Sequence, residues 1–191
     1  EMEVAASPLP GLDVSLAGSY VSAEFDSTLM SEDDPLTPQN DSFVIAGIRE
    51  GNRLPSGPKF QMGAAVTYGQ GFGDNGDWYV NASLQHIGSR FTQPADQEPG
   101  AGVFAHGLPV LGMDGSEVTD ISLKLPAYEL LNVSAGIALD SGLEFVIYAN
   151  NLLDENPKLA FDRERGGRAR LGFHVGQPRT IGLTVRQKFG N

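Results

Sequence analysis

The chain has 191 residues, a net charge of -11, 40% hydrophobic and 19% charged residues, and no Cys. The acidic balance excludes nucleic acid as a partner, because phosphate binding needs clustered Lys and Arg. The lack of Cys excludes disulfide frameworks, thiolate metal sites and thiol nucleophiles, and no stretch approaches the ~18 consecutive apolar residues of a transmembrane helix.

The opening Glu1-Met2-Glu3-Val4 has no basic n-region and no apolar h-region, hence no signal peptide. The chain is expected to be mature or to begin partway through a longer protein. From there the pattern is alternation of period two. After a short first strand, Met2 to Ala6, the strand Leu12 to Phe25 sets Leu12, Val14, Leu16 and Tyr20 against Asp13, Ser15, Ala17 and Ser19. Phe60 to Tyr68 sets Phe60, Met62, Ala64, Val66 and Tyr68 against Gln61, Gly63, Ala65 and Thr67. Trp78 to Phe91 opposes Trp78, Val80, Ala82 and Leu84 to Tyr79, Asn81, Ser83 and Gln85. In Tyr128 to Leu139 the apolar set is Leu131, Val133, Ala135, Ile137 and Leu139. Leu143 to Leu152 places Leu143, Phe145, Ile147 and Ala149 on one face, and Thr180 to Phe189 does so with Ile181, Leu183, Val185 and Phe189.

These runs are about 9–11 residues long, the length with which a tilted strand crosses a bilayer. Their second face is polar and rich in small residues, as strands lining a wet lumen require. Short turns are expected at Pro8 to Gly11, Gly73 to Gly76 and Asp140 to Gly142. Long polar connections are expected at Asp26 to Gly57, Thr92 to Pro126 and Asp154 to Gln177. Short turns at one rim and long loops at the other characterise outer-membrane barrels. The predicted fold is all-β, an antiparallel transmembrane meander of seven strands. In the alternative, Arg168 to Val175 adds an eighth strand and closes a small barrel.

Catalytic, cofactor and metal sites are not predicted, and the chain is not expected to be an enzyme. Gly71 to Gly76 matches G-x-G-x-x-G, but Asp77 leads into a strand rather than the helix a pyrophosphate needs, so it reads as a hairpin turn. His86, His106 and His174 show no zinc-ligand spacing. His86 falls on the apolar face near a strand end, and His106 lies in a Gly-rich loop where it could contact a ligand. The acidic run Ser31 to Pro35 lacks the alternate-position spacing of a calcium loop and reads as solvated charge. Arg163, Arg165, Arg168 and Arg170 form the one basic cluster. Bidentate Arg contacts there could grip lipopolysaccharide or an anionic ligand; the plain alternative is a loop with acidic partners.

The final third carries a further pattern. Leu125-Pro126-Ala127-Tyr128-Glu129-Leu130-Leu131-Asn132, then Tyr148-Ala149-Asn150-Asn151-Leu152-Leu153-Asp154, then Gln177-Pro178-Arg179-Thr180-Ile181-Gly182 occur in that order. Together with Arg53-Leu54-Pro55-Ser56-Gly57-Pro58 upstream, they resemble the strand-entry motifs of TonB-dependent outer-membrane receptors. The resemblance implies that residues 1–191 are the C-terminal strands of a barrel of about 22 strands, in the bacterial outer membrane. It implies Phe189 as the terminal aromatic read by the barrel-assembly machinery, although Gly190-Asn191 follow it. Implied partners are membrane lipid, the missing N-terminal plug and strands of the same protein, and TonB acting through that plug. The function implied is uptake of a scarce solute such as a ferric siderophore, cobalamin or a glycan. Two readings compete with it: a self-contained barrel with a structural or adhesion role, and a soluble β-rich enzyme or binding module. An exposed apolar belt would set the first two apart from the third.

Overall fold

The computed structural model describes residues 1–31, 42–108, 112–163 and 171–189. The strands among them are β1 (Met2–Leu9), β2 (Leu12–Tyr20), β3 (Phe60–Gly71), β4 (Gly76–Ile87), β5 (Arg90–Phe91), β6 (Val103–Leu108), β7 (Met113–Asp120), β8 (Lys124–Leu125), β9 (Tyr128–Leu139), β10 (Leu143–Asn150), β11 (Lys158–Arg163), β12 (Leu171–Val175) and β13 (Thr180–Gln187). Seven form one sheet in the order β1-β2-β3-β4-β9-β10-β13. Every neighbouring pair is antiparallel. This is the predicted meander: each wall strand pairs with the next wall strand in the chain. β1 and β13 are its two edges.

The other six strands pair as β5–β8, β6–β7 and β11–β12. Apart from Arg90–Phe91, they lie within connections expected to be plain loops. The expected strand from Trp78 to Phe91 is interrupted. Wall pairing ends at Ile87, and Arg90–Phe91 turns away to pair with Lys124–Leu125. The expected strand to Phe25 stops at Tyr20, beyond which the isolated Glu24–Arg53 bridge and backbone hydrogen bonds of Val21, Ala23 and Phe25 continue the pairing irregularly. β1 runs on through Pro8, with a register irregularity between Ala6 and Leu9. Proline is tolerated there because Pro8 falls within that irregularity and has no paired position on β2. Leu171–Val175 does not supply an eighth wall strand; it pairs with Lys158–Arg163.

Register aligns the alternation across the sheet. One row runs Ala6, Val14, Val66, Ala82, Val133, Ala149, Ile181 over all seven strands. The next runs Leu12, Tyr68, Val80, Ala135, Ile147, Leu183. Both are apolar throughout, yet Ile147 is 57% exposed and Leu183 is 67% exposed. A soluble sandwich would cover such a face with a second layer; here the face is open and fit for lipid. Only four hydrophobic residues are buried among the described ones, and Leu123, Leu125 and Phe161 lie in the connections rather than the wall.

Candidate functional site

The opposite face of the wall carries a different set of rows. One runs Asp13, Thr67, Asn81, Ser134, Tyr148, Gly182, and another Ser15, Ala65, Ser83, Asn132. Asn81 Nδ2 donates to Ser134 Oγ across the strands at 3.2 Å. Two glycines on this face are covered by tyrosines from the paired position of the neighbouring strand. A Cβ on Gly136 would meet the Tyr79 ring at 2.4 Å, and one on Gly182 would meet the Tyr148 ring at 2.4 Å. The tyrosines thereby cover backbone that glycine leaves bare. Near the short turns, Tyr79 Oη donates to Glu144 Oε1 at 3.0 Å, and Arg186 Nη1 donates to Glu144 Oε2 at 2.7 Å.

At the other rim the three long connections knit together. A short turn at Ile45–Gly47 sits against another at Pro94–Gln97. Gly47 has φ +70 and its hypothetical Cβ would meet Ala95 backbone at 2.2 Å, so the contact leaves no room for a side chain. Arg49 Nη2 donates to Glu98 Oε2 at 2.7 Å, and Asn52 Nδ2 donates to Glu98 Oε1 at 2.9 Å. The Arg49 hydrogen bonds, helped by Asn52, hold the Glu98 carboxyl below the usual carboxylate range. Lys59 does the same for Glu24. Gln97 exchanges hydrogen bonds with the Arg53 backbone at 2.9 and 2.8 Å. From β5, Arg90 Nη2 donates to the carbonyls of Leu159 at 3.0 Å and Lys158 at 3.3 Å, while its guanidinium lies 5.5 Å from the Tyr128 ring centre. Phe104, Phe161 and Phe173 stack in sequence at 5.9 and 5.2 Å, tying the β6–β7 hairpin to β11–β12. The loops thus form a packed layer above the wall.

The motifs of the final third meet in space. Asn151, buried and at φ +50, accepts at Oδ1 from the Glu155 N–H at 2.9 Å. It donates from Nδ2 to the Glu155 and Gln177 carbonyls at 2.8 and 3.0 Å, and its own N–H goes to Asn132 Oδ1 at 2.9 Å. Asp154 accepts from the Arg179 N–H at 3.2 Å and from its Nη2 at 3.4 Å. One small polar hub therefore fixes how the chain leaves β10 and enters β13.

The predicted site residues fall apart from this hub. Phe189 follows β13 and is 90% exposed. The backbone of Arg163 ends β11, but its side chain, and all of Arg165, Arg168 and Arg170, lie outside the described residues. His106 stands in strand β6 rather than a loop; its side chain is likewise outside the described residues. In the acidic run only Ser31 is described. His86 Nδ1 lies 2.8 Å from Glu129 Oε1, and its ring is 5.6 Å from that of Phe60. His174 has Asp162 at 3.9 Å. Arg179 and Arg186 pair with Asp154 and Glu144 inside the chain itself. The Arg49–Glu98 and Arg90 contacts were missed because they join residues far apart in sequence without a motif.

Comparison with known proteins gives one family and several folds. Residues 1–152 match the family model for the TonB dependent receptor-like β-barrel. The ferric yersiniabactin uptake receptor FyuA from Yersinia pestis superposes with a TM-score of 0.64 at 19% identity, over 98% of this chain and 23% of that receptor. FpvA from P. aeruginosa, bound to a heterologous pyoverdine and iron, gives 0.54 at 13% identity over 98% and 19%. The ferric-catecholate import receptor Fiu from E. coli K12, in its open form, gives 0.53 at 16% identity over 97% and 20%. At these identities the likeness is one of fold, and the chain spans about a fifth of the length of each receptor. No curated protein matches the chain significantly.

Proposed function

The chain belongs to the TonB-dependent receptor-like β-barrel family, and from that premise we propose that it forms the C-terminal wall of an outer-membrane uptake receptor. The whole receptor takes up a scarce solute, with a ferric siderophore as the solute class, using energy relayed through TonB. Its plug and remaining strands belong to the rest of the protein. The wall faces lipid with its apolar rows, and the loop layer faces the medium. Arg163, Arg165, Arg168, Arg170 and His106 are the candidates to meet the solute or lipopolysaccharide. Phe189 serves the assembly machinery.

The observation that carries this reading is the two-faced wall: open apolar rows on one side, hydroxyl and amide rows on the other, in a chain that matches the family over residues 1–152. The three folds it resembles come from receptors named for ferric uptake or bound to an iron complex, which supports iron over cobalamin or a glycan. The test is radioiron uptake from ferric siderophores by iron-limited cells with and without the parent gene, and with and without TonB. Uptake that needs both supports the reading. Uptake indifferent to the parent gene, across catecholate, hydroxamate and phenolate complexes, overturns it.

A further inference from the structure

The apolar face of the wall is not level. It sinks along β9, where Ala82, Ala135 and Ala149 stand around Val133, and the longer Tyr68, Ile147 and Ile181 rise on either side. Ala149 is only 8% exposed although no layer of the described residues lies over it, while its neighbours Ile147 and Ile181 are 57% and 67% exposed. The result is a depression of about 470 Å³ with an almost wholly apolar lining. It continues into a second, of about 350 Å³, between Trp78, Ile137, Phe145 and Leu183; Val80, Ala135 and Ile147 are shared by the two. At the far end the Tyr68 and Trp78 rings meet edge to face at 5.5 Å, and Gln70 Nε2 donates to Tyr68 Oη at 2.6 Å. The Trp78 indole N–H has no hydrogen-bond partner among the described residues.

Depth decides which leaflet meets this groove. Val133 is midway between Glu129, at the loop end of the face, and Ile137, which pairs with Trp78 towards the short turns. Four residues are about 14 Å of strand, or about 10 Å of depth at a tilt of about 40°. The groove therefore occupies the half of an apolar band about 25 Å tall that lies nearest the short turns, the periplasmic half. Within a bilayer, leaving water no longer drives association; close packing does, and small residues permit it. The alanine floor admits a chain that a level wall would hold off. The Trp78 N–H and the Tyr68–Gln70 pair stand at the interfacial depth, where a lipid turns from hydrocarbon to ester and phosphate oxygens. We infer that this groove seats one acyl chain of a periplasmic-leaflet phospholipid, with an ester or phosphate oxygen of that lipid accepting from Trp78. The groove is continuous with the lipid-facing surface of the wall, so its occupant arrives from the bilayer. The inference rests on the assignment of the apolar rows to lipid and not on which solute the receptor carries.

The test counts lipid on the full-length parent receptor by native mass spectrometry, after exchange into detergent holding dipalmitoyl phosphatidylethanolamine or, in a separate arm, lipopolysaccharide. Ala135→Phe fills the floor, Ala64→Leu adds bulk to the same face outside the groove, and Trp78→Phe keeps a ring but removes the N–H. Heat-modifiable mobility checks that each variant is assembled; Ala149→Leu, which fills the same floor with less bulk, serves if Ala135→Phe is not. The parent is expected to retain one phosphatidylethanolamine. Ala135→Phe weakens retention by about tenfold, the effect of about ten lost atom contacts. Trp78→Phe weakens it by about threefold, the effect of one neutral hydrogen bond, and Ala64→Leu leaves it as in the parent. A parent that retains no phospholipid, or equal retention by the parent and the floor-filled variant, overturns the inference. So does retention of lipopolysaccharide that the floor-filled variant loses, because the groove would then serve the other leaflet. Parent dimers that the same variant dissociates overturn it too, since protein would then cover the groove. A failure of the sidedness itself shows separately, as equal unfolding losses for Val133→Arg and Ser134→Arg, and takes the inference with it.

Discussion

Replacing Val133 with Arg tests the sidedness of the wall at its most sensitive point. Val133 sits four residues from Ile137, which pairs with Trp78, and four residues from Glu129, which pairs with His86. At about 3.4 Å per residue each arm is about 14 Å along the strand, or about 10 Å of depth once the strand tilts by about 40°. An apolar band of about 25 Å therefore has Val133 near its midplane. An Arg there is expected to cost about 2–4 kcal/mol, a shift of roughly 30- to 1000-fold in the folding equilibrium. Ser134, the next residue, faces the other way. Ser134→Arg loses the Asn81 hydrogen bond, at 3.2 Å in the parent, and is expected to cost no more than about 1 kcal/mol. The assay is denaturant unfolding of the full parent receptor in lipid vesicles, with each variant compared by its midpoint. Equal losses for the two variants, or a larger loss for Ser134→Arg, would refute the assignment of the apolar rows to lipid.

Gly136→Val should destabilise the parent by about 1–3 kcal/mol through overpacking against the Tyr79 ring, and Tyr79→Ala in the same chain should recover part of the loss in the same unfolding assay. The Glu98 carboxyl, ordinarily at 4.5, is lowered in the fold chiefly by its Arg49 hydrogen bonds. Its stabilisation is therefore complete above the ordinary value and is lost as pH falls through the lowered one. Hydrogen exchange of residues 45–57 should accelerate on acidification, and Glu98→Gln should exchange quickly at neutral pH already; a pH-independent rate in the parent contradicts this. Phe189→Ala should cut the amount of parent receptor reaching the outer membrane while leaving the heat-modifiable mobility of the assembled fraction unchanged, so normal levels argue against an assembly role.

The wall was readable because its information is local. Alternation along Leu143 to Asn150 assigns both faces of β10 without reference to any other strand, and register is then constrained by keeping the apolar residues of every strand on the same face. The loop layer was not readable in the same way. Arg90–Phe91 reverses the phase of β4's alternation, with a charge at an apolar-face position and an aromatic at a polar-face one, but nothing local says that it pairs with Lys124–Leu125, more than thirty residues away. Arg49 and Glu98 are 49 residues apart, and neither position looks unusual in its own stretch. Proline and glycine marked the connections, but turn residues do not say which hairpin packs on which.

The two halves of the chain's design meet at the polar hub around Asn151. A barrel wall needs strand ends whose backbone is satisfied before the chain enters a loop, because an open end at the lipid boundary cannot rely on water. Asn151 satisfies that need four times over: its N–H reaches Asn132 on β9, and its amide holds Glu155 and Gln177, the start and finish of the connection. Asp154 and Arg179 then close the same connection at its base. The β11–β12 hairpin can therefore vary in sequence without disturbing the spacing of β10 and β13. That separation explains why the recognisable motifs lie at strand entries and exits. A rigid, satisfied frame leaves the loops between them free to carry specificity.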